Sequence, residues 1–76
     1  MGNIYISRSQ ARRVLVGLDK FKSIIFDFDR VPTIGQAFAD EIFRVFAIQN
    51  PQIELKVSHA NAEVSQMISR ARSPRL

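Results

Sequence analysis

Near the start of the chain, Ile4-Tyr5-Ile6 has the alternation of a short strand. Ser7-Arg8-Ser9-Gln10 follows with the spacing of a capping box, Ser at the N-cap and Gln at the third helical position. Ala11, Val14, Leu15, Leu18 and Phe21 then fall on one helical face, with Arg12, Arg13 and Lys20 off it. This pattern predicts a first helix. Ile24-Ile25-Phe26-Asp27-Phe28-Asp29 is a β-branched and aromatic run typical of a buried parallel strand. Ile24, Phe26 and Phe28 share one face. Ile25, Asp27 and Asp29 share the other, so that face turns polar toward the strand's carboxyl end.

Val31-Pro32 forces a loop. Thr33-Ile34-Gly35-Gln36 repeats the capping-box pattern and predicts a second helix with Ala37, Phe38, Ile42, Val45 and Phe46 inward. Asp40 and Glu41 are spaced to pair with Arg44. Phe43 lies off the stripe and is expected to be exposed, as part of an interface. Asn50-Pro51 ends the helix. Ile53-Glu54-Leu55-Lys56-Val57-Ser58 alternates as a half-exposed strand near a sheet edge. Asn61 is placed to cap a third helix carrying Val64, Met67, Ile68 and Ala71 on its inner face.

The element order is therefore β-α-β-α-β-α. It predicts an α/β fold: a small three-stranded sheet, mainly parallel or mixed, with three helices. Residues 1–76 make a single domain, with 1–3 read as a tag remnant and 73–76 as a tail. If the strands lie in sequence order, right-handed crossovers put the helices on one face. The other face then carries Ile25, Asp27, Asp29, Glu54 and Lys56 to water, to a partner, or to a second copy in a homodimer.

Composition narrows the classes. With 76 residues the chain buries only roughly 60% of its unfolded surface, so its stability is expected to be marginal. A hydrophobic fraction of 46% with six Phe suits a packed core. There is no Cys and only one His, which removes disulfides and thiolate metal sites and disfavours zinc. No cofactor is expected. No apolar run approaches the roughly 20 residues of a membrane span, and no signal-peptide core is present, so the cytoplasm is the expected compartment. The net charge of +4, with pI near 10.4, raises nucleic-acid binding. The arginines are scattered, however: Arg8, Arg12 and Arg13 at one end, Arg70, Arg72 and Arg75 at the other.

One stretch looks catalytic. Ile24 through Val31, IIFDFDRV, resembles the first motif of haloacid-dehalogenase-type phosphatases. That resemblance assigns Asp27 as nucleophile and Asp29 as general acid/base. Arg30 stands where that family usually has Gly. The lysine and the later acidic pair that such chemistry needs for phosphate and magnesium have no counterpart here. No enzymatic activity is expected. His59 is a lone histidine in a strand-to-helix loop, with a surface or capping role. Ser7, Ser9 and Thr33 lack a neighbouring His in the sequence and are read as helix caps.

SRSQA (Ser7 to Ala11), the Phe26-Asp27-Phe28 strand and IGQAFADEIFRVF (Ile34 to Phe46) together resemble the STAS-like domain of unknown function found in bacteria and phages. The likeness runs from about Ile6 to Ala71. It implies a fold related to anti-sigma-factor antagonists and a role in signalling. It also implies a partner protein, either an ATP-binding kinase-like protein or an attached DNA-binding domain. In the antagonists a phosphorylatable serine opens the helix after the central strand. The corresponding stretch here is Gly35-Gln36-Ala37-Phe38, where Gln36 replaces the serine and Thr33 is the nearest hydroxyl. The resemblance therefore implies a docking surface without the phosphorylation switch.

The surface expected to meet a partner comprises Asp29, Arg30, Thr33, Gly35 and Gln36, with Asp40 and Glu41 one turn further on. The alternative is a nucleic-acid-associated module using the terminal arginines, whose binding weakens steeply with salt.

Overall fold

A computed structural model describes residues 7–72. The first capping box forms. The Ser7 hydroxyl accepts from the Gln10 amide at 3.1 Å, and Gln10 Oε1 accepts from the Ser7 amide at 3.1 Å. Helix α1 spans Arg8–Leu15. It stops earlier than the apolar stripe predicts, because Gly17 takes a left-handed φ of 79° and a short 3₁₀ turn, Leu18–Lys20, follows. Phe21, expected on the inner face, is carried to solvent and is 56% exposed; Val14 is 40% exposed.

Strand β1 is Ser23–Asp27, with Ile24 and Phe26 buried and the residues between them exposed. The expected strand ran to Asp29. It ends sooner because the Asp27 carboxylate accepts from the Asp29 amide at 3.0 Å and the Val31 amide bonds Phe28 O at 3.0 Å. Phe28 nonetheless stays buried, its amide donating to Ser58 O at 2.9 Å. Strand β2, Glu54–Ser58, pairs parallel to β1 with Ser23 opposite Glu54 and Asp27 opposite Ser58. Among the described residues the sheet has these two strands. The third expected strand, Ile4–Ile6, and the Ser73-Pro74 tail lie outside them. The outer face presents Ile25, 63% exposed, beside Glu54 and Lys56. The inner face joins the helices in one core.

Helix α2 is one continuous run, residues 36–49: α-helical Gln36–Asp40, π-helical Glu41–Phe46, and a last turn Ala47–Gln49. Its N-cap is Gly35, not Thr33, and the second capping box does not form. Ile34, 1% exposed, is anchored in the core, so the chain turns into the helix only after it. Thr33 Oγ1 instead donates to Ile34 O at 3.5 Å.

The π segment also corrects the expectation for Phe43, which is buried. In an ideal α-helix, residues five apart lie about 140° around the axis from each other. The i→i+5 turns bring them onto one face. Phe38 and Phe43 both enter the core, and the Phe43 ring meets Phe26 edge-on at 5.5 Å. Asn50 closes the helix, its side chain donating to Phe46 O at 3.1 Å, before Pro51.

Helix α3 is Ala62–Arg72, burying Val64, Ile68 and Ala71. Asn61 caps it as expected, its Oδ1 accepting from the Val64 amide at 2.7 Å. Ile34, Ile42 and Val64 are the largest fully buried side chains. Burial of each contributes roughly 1.5–3 kcal/mol. No helix among the described residues is long and apolar enough to cross a membrane.

Candidate docking site at the carboxyl edge of the sheet

Both strands end side by side, and the chain leaves each of them through a left-handed residue. Arg30 takes φ 65° after β1, and His59 takes φ 57° after β2. For residues with a Cβ this conformation costs roughly 1–2 kcal/mol, because Cβ crowds the following carbonyl.

Local hydrogen bonds hold the strain in place. Ser58 Oγ lies 2.9 Å from His59 Nδ1, and Asp27 Oδ1 lies 3.1 Å from the same nitrogen. A proton on Nδ1 satisfies the Asp27 carboxylate, and Nε2 of this exposed ring has no partner among the described residues. Asn61 ties the first loop to α3: its Nδ2 donates to Val31 O at 3.3 Å and Pro32 O at 3.1 Å. The amide that caps α3 thus also fixes the wall of the corner.

A shallow depression of about 310 Å³ opens between the two strand ends, lined by Phe28, Arg30, Val31, Pro32, His59 and Asn61. None of these carries an acid. Phe28, 5% exposed, belongs to the core beneath it. Among the described residues the Arg30 guanidinium meets no hydrogen-bond or ion-pair partner.

Ser58, His59 and Asp27 do not form a nucleophilic triad. A relay needs the acid on one imidazole nitrogen and the hydroxyl on the other; here both meet Nδ1. Asp27, the nucleophile in the phosphatase-like reading, is engaged by His59 and by the Asp29 amide. No group of three or more His, Asp or Glu among the described residues is arranged to hold a metal ion.

The expected docking residues divide into two sets. Asp29, Arg30, Thr33, Gly35 and Gln36 stay together along the turn from β1 to α2, with Asp29, Arg30 and Gln36 exposed. Asp40 and Glu41 face α1 instead. Glu41 is 7% exposed and takes Arg8 Nη1 on Oε1 at 2.9 Å and Arg12 Nε on Oε2 at 3.4 Å. Asp40 holds Arg44, with Nη2 to Oδ2 at 2.8 Å, and lies 3.8 Å from Arg8. The hydrogen bond from Arg44 keeps the Asp40 carboxyl below the ordinary carboxylate range, against partial burial, with the Arg44 and Arg8 charges helping. Asp40 in turn raises Arg44. A larger groove, about 710 Å³, runs along this seam, but its cations already face Glu41.

Sequence reasoning missed the contacts that join distant segments: Arg8 and Arg12 with Glu41, and Asp27 with His59. No local pattern announced the left-handed backbone at Arg30 and His59.

The fold and its edge define a small α/β domain whose polar chemistry gathers at one end of a parallel sheet. The chain belongs to the family described as the STAS-like domain of unknown function, whose model matches residues 10–65. No curated protein and no solved structure matches it.

Proposed function

We propose that the chain is a non-catalytic interaction module that regulates a partner protein through the turn from β1 to α2. The observation that carries this reading is the exposed trio Asp29, Arg30 and Gln36 on a turn that is rigid on both sides. Ile34 anchors it in the core and Asn61 clamps it to α3. A rigid turn loses little freedom on binding, and a few such groups carry most of an interface's affinity. Gly35 at the N-cap supplies no side-chain acceptor to the Gln36 and Ala37 amides that open α2, so a partner's acidic group is favoured there. The partner is an ATP-binding kinase-like protein or a DNA-binding domain, as membership of a STAS-like family suggests. Direct nucleic-acid binding by the terminal arginines is disfavoured, since Arg8 and Arg12 serve Glu41 and Arg72 lies over Phe43 at 5.2 Å.

The test is capture of a partner from the source cell, followed by titration calorimetry with the purified pair. Gln36→Glu and Arg30→Glu are expected to weaken binding about tenfold or more, while Arg13→Gln leaves it unchanged. Equal affinity for wild type and both corner variants would overturn the proposal.

A further inference from the structure

We propose that the depression between the strand ends is a binding site for a small phosphate monoester, anchored by Arg30 and completed by His59. Three independent observations converge on it. The depression is lined by one guanidinium, one imidazole and one amide, with no acid, so its own wall favours an anion. Two of these three groups are left available: the Arg30 guanidinium and His59 Nε2 have no partner among the described residues. Both residues sit on left-handed backbone that a glycine would adopt without strain. Strain held at two positions around one cavity, where Arg30 contributes unused donors and His59 an unengaged Nε2, is the pattern expected of a preorganised ligand site.

The chemistry selects the ligand class. A guanidinium presents a planar fork of donors that matches two oxygens of a phosphate, and its charge shortens and strengthens those bonds. Nε2 of His59 supplies a further donor to a third oxygen when the ring is cationic, with Nδ1–H held by Asp27 and Ser58. Val31 and Pro32 give the ligand's ester group an apolar wall. Ligands of open parallel sheets lie outside the carboxyl ends of the strands, as this depression does. Asp27 and Asp29 do not line it. Asp27 Oδ1 meets both His59 and the Asp29 amide, and holds the imidazole from behind the depression. Arg30 belongs to both surfaces, but phosphate binding is read without a protein partner, so either can fail alone.

The experiment is a titration of the isotope-labelled chain with phenyl phosphate, inorganic phosphate and benzoate, followed by amide chemical shifts. Phenyl phosphate is expected to bind with Kd on the order of 1 mM. Its shifts should be confined to residues 28–32 and 58–61, and it should bind more tightly than benzoate. Arg30→Gly is expected to weaken binding about tenfold or more while its melting temperature does not fall, which separates lost binding from lost folding. His59→Asn, which tolerates the left-handed backbone, is expected to weaken binding severalfold. Arg13→Gln is expected to bind as wild type does. Unchanged affinity in Arg30→Gly would overturn the assignment. So would tighter binding of benzoate, shifts centred on Arg8, Arg12 and Arg13, or no saturable binding by wild type.

Discussion

Two charged regions of the molecule are built on opposite plans. Along the seam between α1 and α2, charges are matched within the chain: Glu41 takes Arg8 and Arg12, and Asp40 takes Arg44. The backbone there is helical throughout. At the carboxyl edge of the sheet the backbone is left-handed at Arg30 and His59, and the Arg30 guanidinium is unmatched among the described residues. The seam spends its polar groups on holding helices together. The edge keeps the Arg30 donors unmatched on backbone that costs stability.

The largest expected effect lies beneath the seam. Phe43→Ala removes a buried ring that meets Phe26 and carries Arg72 above it. The loss is about 3–5 kcal/mol, enough to unfold most of a domain this small. Circular dichroism in urea reads it, and Ile48→Ala, at a position 68% exposed, should shift stability by less than about 0.5 kcal/mol. If the two substitutions had equal effects, the π-helical face would not be the core. Next comes Glu41→Lys, which places a cation against Arg8 and Arg12 in a buried position. It is expected to cost about 3 kcal/mol, with Glu41→Leu much milder because an apolar replacement leaves no buried charge.

The same substitution in the two regions should have opposite signs. Arg13→Gly, on the exposed side of α1, is expected to destabilise by about 1 kcal/mol through helix propensity. Arg30→Gly is expected to stabilise by about 0.5–1 kcal/mol, the relief of left-handed strain outweighing the entropy of the added glycine. Urea midpoints of the pair measure the contrast directly. The smallest effect is acidic. Asp40 has a lowered pKa in the folded state, so its contribution is present above the ordinary carboxylate range and is lost as pH falls through the lowered value. Asp40→Asn should lower the melting temperature by about 2 °C at neutral pH, and the difference from wild type should vanish in strong acid.

Local periodicity carried much of the fold. Ser7, Gln10 and Asn61 announce their caps because a cap is made by residues three apart in sequence. The alternation of Ile24, Ile25 and Phe26 announces its faces because a strand has period two. The failures share one cause. Phe43 was misplaced because a π segment breaks the 3.6-residue period, and nothing in the local pattern of residues 41–46 encodes that break. Thr33 was misread because the burial of Ile34, a tertiary event, decides where α2 begins.

The candidate site divides in the same way. The turn residues Asp29 to Gln36 are contiguous and were legible. His59 reaches Asp27 only once two parallel strands lie in register, with Asp27 opposite Ser58. Asp40 and Glu41 look like surface acids in sequence. The spacing gave Asp40 its Arg44, but only the packing of α1 brings Arg8 and Arg12 to Glu41.

The account turns on which of the two regions faces a partner. An amide chemical-shift map of the labelled chain with its captured partner distinguishes them. Perturbations centred on residues 29–36 and 58–61, with α1 silent, are the expected result. Perturbations centred on Arg8, Arg12 and Arg13, with the sheet edge unmoved, would contradict it.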